Sequence, residues 1–211
     1  MKTIKNPIVS LLSMLLAAFV LITACTNDET EVLGTEPDTS ELSSEDKNAL
    51  LFMLEEEKLA RDTYEFLDGL YGTNQFANIK LSEQSHIDAV VALLNRYKID
   101  YTILPYGEFY TTEIQGLYDQ FVAKGRIDAI NALKVGATIE DLDIVDLDEF
   151  INATSNTSII SVFESLQCGS RNHLRSFVGA IENSNETYEP QFLSIEEYNE
   201  IINGLNEKCG G

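Results

Sequence analysis

Basic side chains are scarce in this chain: 14 lysines and arginines stand against 35 acidic residues, a formal net charge of −21 over 211 residues. That balance excludes nucleic acid and anionic membrane surfaces as partners, because both would repel the protein. Strand signals are almost absent, which excludes a sheet protein and leaves an all-α chain. No phosphate-cradling glycine loop, nucleophile triad or paired-cysteine metal motif occurs. Histidine is rarer still. His86 and His173 are the only two, and the three cysteines are Cys25, Cys168 and Cys209.

Residues 1–24 have the plan of a secretory signal: a basic start at Lys2 and Lys5, an apolar run from Ile8 to Ile22, and small residues before a cleavage point. The apolar run is short for a membrane span. Leu21-Ile22-Thr23-Ala24-Cys25 resembles the lipobox of bacterial lipoproteins. That resemblance implies acylation of Cys25 and a membrane-anchored protein facing the periplasm or the cell surface. Residues 25–44 are polar, acidic and poor in large apolar groups, the composition of a flexible tether. Residues 45–208 are long enough for one domain with a real core. In an oxidising compartment Cys168 and Cys209 form either a disulfide, stapling the C-terminal tail to the last long helix, or two free thiols.

Four amphipathic stretches dominate that domain. The first begins near Ser43 or Ser44 and aligns Leu50, Met53, Glu57, Ala60, Tyr64, Leu67 and Tyr71, with Gly72 as its stop. The second, from Asn74, aligns Phe76, Ile79, Glu83, His86, Val90, Leu93 and Tyr97. A long connection from Lys98 to Arg126 carries one short helical piece around Ile114, Leu117 and Phe121. The third stripe reads Ile130, Leu133, Ala137, Glu140, Ile144, Leu147 and Ile151, and the fourth Ile159, Phe163, Leu166, Ser170, His173 and Phe177. Steps of three and four residues mark each as one core-facing helical line. A short last helix opens at Ser194. Two helical hairpins joined by one long crossover is the connectivity of a ferritin-like four-helix bundle.

Five residues break the apolar lines: Glu57, Glu83, His86, Glu140 and His173. Ionisable groups facing a bundle interior are costly unless paired or bound to a cation. Glu83 and His86, three apart, lie on one helix face and can meet a single ion. Glu55 and Glu56 beside Glu57, and Asp141 and Asp143 beside Glu140, fall off the stripes and are expected mainly toward solvent. Oxygen-rich ligation with two imidazoles suits iron or manganese, with zinc also compatible. One or two iron ions is the leading expectation, with oxidation of Fe(II) or reduction of peroxide as its chemistry. The competing readings are a metal-free surface lipoprotein that uses the bundle as a binding scaffold, and a zinc-stabilised structural bundle.

Glu57-Lys-Leu-Ala-Arg61-Asp62-Thr-Tyr64 resembles the first-helix motif of rubrerythrin-type ferritin-like proteins. The wider pattern resembles one ferritin-like family, domain of unknown function 2202. It is carried by Met53 to Tyr64, Ser82-Glu-Gln-Ser-His86, Leu133 to Ile144 and Gly169-Ser-Arg-Asn-His-Leu-Arg-Ser-Phe177. The likeness spans about residues 45–203. It implies a ligand position at Glu57 and a di-iron site that should repeat Glu-x-x-His on the fourth helix. Ser170 stands where that glutamate belongs, and Asp143 and Glu56 are the nearest spare carboxylates. Tyr64, Arg61, Asp62, Asn172 and Arg175 flank the ligand positions, either orienting ligands or tying helices together. Tyr64 has two readings of its own, a core aromatic or a partner for Glu140.

Overall fold

The computed structural model describes residues 42–209, so the segment read as a signal, Cys25 and residues 25–41 of the tether lie outside the described residues. Six helices and no strands occur among the described residues: α1 Ser44–Tyr71, α2 Asn74–Arg96, α3 Thr112–Gly125, α4 Ala129–Ala153, α5 Thr157–Glu182 and α6 Ile195–Asn203. None of them is long and apolar enough to cross a membrane.

Helix boundaries follow local chemistry. Ser43 Oγ accepts from the Asp46 N–H at 2.9 Å and starts α1. Gly72, at φ 59°, ends it in the left-handed conformation that costs glycine nothing. Asp128 caps α4 through the Asn131 N–H at 2.7 Å. Asn156 caps α5 with one oxygen shared by the N–H groups of Ser158 and Ile159. Ser194 and Glu197 complete a reciprocal capping box at α6.

Only Gly72 and Thr73 separate α1 from α2, and only Thr154 to Asn156 separate α4 from α5. Links this short leave antiparallel neighbours, so the bundle is two hairpins laid side by side. The connection between them carries α3. A buried lysine anchors the loop that precedes α3: Lys58 Nζ donates to Asp62 Oδ2 (2.6 Å) and to the carbonyls of Pro105 (3.0 Å) and Glu108 (3.1 Å). Asp62 also accepts from the Gly107 N–H at 3.0 Å, so the Lys58–Asp62 pair holds the crossover to α1.

The apolar interior forms two clusters. Leu50, Met53, Val90, Leu147, Phe163 and Leu166 lie in one. Tyr64, Phe76, Ile79, Ala137, Leu174 and Phe177 lie in the other. On α1, α2 and α5 the stripe passes from one cluster to the other at Glu57, at Glu83 with His86, and at Ser170 with His173. A polar layer is thereby enclosed at mid-bundle.

Candidate metal centre

All five predicted residues converge in that layer. Glu83 is its hub. One carboxylate oxygen of Glu83 lies 2.8 Å from His86 Nδ1 and the other 2.9 Å from His173 Nδ1. Glu57 Oε2 stands 3.2 Å from His86 Nδ1 on one side, and Glu140 Oε2 3.4 Å from His173 Nδ1 on the other. The two imidazoles stack with ring centres 5.6 Å apart. The result is two triads that share one carboxylate: Glu57, Glu83 and His86, then Glu83, Glu140 and His173, with donor atoms in each within 4.8 Å of one another.

His86 Nδ1 and Glu57 Oε2 share a hydrogen bond, but the cluster leaves other buried polar atoms without one. Glu83 Oε1 and His173 Nδ1 are both buried and close, yet neither makes a hydrogen bond among the described residues. Glu57 Oε1 is buried without a partner as well. Buried carboxylate and imidazole donor atoms gathered this closely form a set that a cation could coordinate. Buried polar atoms left this way otherwise cost free energy with no return.

Electrostatics tells the same story. Burial raises Glu57, and the opposing His86 leaves it at about 7. Burial also raises Glu140, with Glu83 adding to the rise. Burial pushes Glu83 up too, but His173 and His86 outweigh it and hold the carboxyl well below the ordinary range. Burial would lower both imidazoles; Glu57 and Glu83 instead raise His86, and Glu83 with Glu140 lifts His173 to about 10. Without a cation, protons on the histidines supply the compensating positive charge.

Tyr64 resolves both of its expectations at once: it is fully buried among Phe76 and Phe177, and its O–H donates to Glu140 Oε1 at 2.5 Å. Ser170 Oγ–H donates to Asp143 Oδ2 in a short hydrogen bond. A carboxylate from α4 thus lies beside the position where the family pattern places one on α5. Arg61 reaches Asp62 and, at 2.7 Å, Gln84 of α2, so it ties helices rather than the five residues. Asn172 and Arg175 hold the C-terminal tail. Cys168 Sγ and Cys209 Sγ lie at a bonded 2.03 Å.

Four acids depart from the solvated placement expected for them. Asp143 is buried at 5 % exposure against Ser170, and Glu56 at 1 % beside Asp146 of α4. Burial, then the charges of Asp143 and Asp146, push the Glu56 carboxyl well up, toward its neutral form. Asp141 has no exposed surface; it accepts from the Tyr188 O–H (2.8 Å) and from the N–H groups of Gln191 (2.5 Å), Phe192 (3.2 Å) and Leu193 (2.8 Å). Glu55 is half-buried and accepts from the N–H groups of Tyr110 and Thr111 at the start of α3. Two causes divide them: Glu55 and Asp141 are covered by the crossover and the C-terminal segment, whereas Glu56 and Asp143 face neighbouring helices, α4 and α5. A signal for this existed in Ala132 to Ile139, where Lys134 and Thr138 are the only polar residues and the helix reads as apolar nearly all round.

Comparison with known proteins adds three findings. Residues 46–205 match the family model described as "Uncharacterized protein domain (DUF2202)". The chain is 47% identical over 169 residues to the uncharacterized protein MJ0754 of Methanocaldococcus jannaschii, covering 79% of this chain and 91% of that protein. The crystal structure of hypothetical protein MJ0754 from Methanococcus jannaschii superposes with a TM-score of 0.77, covering 79% of this chain and 96% of that one.

Proposed function

The chain belongs to the family described as Uncharacterized protein domain (DUF2202), and from its buried cluster we propose that it is a ferritin-like protein binding one or two redox-active metal ions, iron foremost. Glu83 bridges two positions. Glu57 with His86 completes one, and Glu140 with His173 the other. The observation that carries this reading is the convergence at mid-bundle of two carboxylate–carboxylate–imidazole triads that share Glu83, with donor atoms in each within 4.8 Å of one another. Three carboxylates and two imidazoles form a hard, oxygen-rich donor set that suits iron or manganese and accommodates zinc. Bound iron or manganese would supply one-electron exchange, used to oxidise Fe(II) or to reduce peroxide.

The chain's own residues set the conditions for that chemistry. The two apolar clusters exclude water above and below the layer. Tyr64 fixes one oxygen of Glu140 and leaves the other facing His173. Glu57 and the imidazoles must release their protons for a cation to enter. At the N-terminus, acylation of Cys25 would anchor the domain to a bacterial membrane through the acidic tether.

A second reading, a non-enzymatic surface lipoprotein using the bundle as scaffold, draws on the raised basicity of both imidazoles, which lets the cluster balance its charge without a cation. Elemental analysis of the purified protein, with absorption spectra after Fe(II) and air, separates these. Iron with ultraviolet-to-visible charge-transfer bands, both lost in Glu83→Ala, is the expected result. Stoichiometric zinc without turnover would replace it with a structural role. Absence of any metal, with Glu83→Ala and His86→Ala as stable as the parent, would overturn it.

A further inference from the structure

A cleft of about 380 Å³ lies over the site on its solvent side, between α2 and α5. His86, His173, Gly169 and Asn172 help form its floor, and Glu207 and Cys209 form part of its wall. Within the cluster the imidazoles are the members that reach this cleft. Their side chains are each 12% exposed, against 2–3% for the three carboxylates. The larger cavities elsewhere on the described surface touch none of the five residues. Gly169 keeps the floor open, because a Cβ there would stand 2.7 Å from His86 Nε2.

That wall is formed by the segment that follows α6. Beyond α6 the described residues run without regular structure back across α5. Arg171 grips both oxygens of Glu207, at 2.9 Å through Nε and 2.5 Å through Nη2, and Arg175 adds a contact of 2.9 Å. Asn172, next to His173, exchanges two hydrogen bonds with the backbone of Glu207, at 3.1 and 2.9 Å. Cys209 is then bonded to Cys168, one residue from Gly169. Every one of these fastenings lands on the α5 segment that carries His173.

We propose that this cleft is the port by which small hydrated divalent cations reach the centre, and that the tail from Leu205 to Cys209 is a strap across it, closed by the Cys168–Cys209 bond. The identity of the solute rests on the metal-binding reading; the strap does not. Beside the apolar edges of Ala89 and Leu166, the lining offers the hydroxyls of Ser82, Ser85 and Ser165, the Asn172 amide and two imidazoles, groups that can receive a hydrated ion. A dithiol reductant opens the strap: two electrons and two protons pass to the pair, Cys168 and Cys209 become thiols, and the reductant leaves as its own disulfide. The tail is then held by the Glu207 contacts and by the Asn172 amide on the Cys209 sulfur (3.2 Å), which lie near the surface and exchange with water.

The test uses the full chain after chelation. Hydroxyl-radical labelling of the two histidines, which does not require a neutral imidazole, is followed by peptide mass spectrometry, alongside the rate of Zn(II) uptake. Oxidised protein is compared with dithiothreitol-treated protein, Cys209→Ser and Glu207→Gln. Opening the strap should speed labelling of both histidines and ion uptake roughly tenfold with the helical circular dichroism unchanged. Equal rates in all four samples, or acceleration only with loss of helix, would overturn the strap. Faster labelling with no ion taken up by any sample would support the strap and overturn the metal reading instead. Ion uptake at one common rate would do the reverse.

Discussion

His86 and Asp143 show how single side chains tune the centre. The space beside the His86 ring exists because residue 169 has no side chain. Gly169→Ala should push the ring off Glu57 and Glu83, weakening metal binding about tenfold or more while the helices remain intact; titration calorimetry beside circular dichroism checks both. Asp143 meets the opposite requirement. Burial first, then the charge of Glu57, raises its carboxyl well above the ordinary range, so the metal-free protein holds it toward the neutral acid. Asp143→Asn should therefore leave the metal-free protein at least as stable. It should lower affinity for a second ion by roughly tenfold, because a carboxamide cannot supply the charge a carboxylate does. Equal stoichiometry and affinity in the variant would show that Asp143 serves only Ser170.

At the level of elements, α4 is the most enclosed helix, and its length hides a fastening. Asp141 gathers one hydroxyl and three backbone N–H groups from residues 188–193, and so docks the segment that leads into α6. Removing that carboxylate leaves buried donors unsatisfied. Asp141→Ala should cost about 3 kcal/mol. For a domain of this size that is a fall in Tm of roughly 6–12 °C. Amide exchange should rise first in α6 and the tail, not in α1 or α2. Uniform exchange across the bundle would argue instead that Asp141 supports the whole core. The Lys58–Asp62 pair performs the matching task at the other connection, where it gathers the carbonyls of Pro105 and Glu108.

Across the molecule, the buried layer links metal binding to pH. His173 is lifted to about 10, so its protonation stabilises the metal-free fold fully below the unfolded value of ~6.5 and is lost as pH rises toward 10. Glu57, lifted to about 7, acts with the same sign: the fold holds a proton that the unfolded chain has already released, and stability falls as pH climbs through 7. Glu83, held low, has the opposite sign and loses its contribution only in acid. On the metal-binding reading, a cation would take the place of the protons on His86, His173 and Glu57. The Tm difference between metal-loaded and metal-free protein should therefore widen from about pH 6.5 to 9, with net proton release on binding. Calorimetry in buffers of different ionisation enthalpy measures that release. A constant gap would remove protons from the exchange.

Much of this protein was legible from periodicity. Steps of three and four placed Leu50 to Tyr71, Phe76 to Tyr97, Ile130 to Ile151 and Ile159 to Phe177 on helices, and the same steps turned Glu57, Glu83, His86, Glu140 and His173 inward. A local repeat can do this because it specifies which face of a helix is apolar, whatever lies opposite. It says nothing of faces covered by segments distant in the chain. Asp141, Glu56 and Lys58 were unreadable for that reason: they are buried by residues 188–193, by α4 and by the 105–108 loop, 47 or more positions away where hydrogen bonds record the contact. The sharing of Glu83 between two histidines, and the tail laid over them, likewise arise only when four helices and a C-terminal strand of chain are packed around one point, since distances between side chains are properties of the assembled bundle.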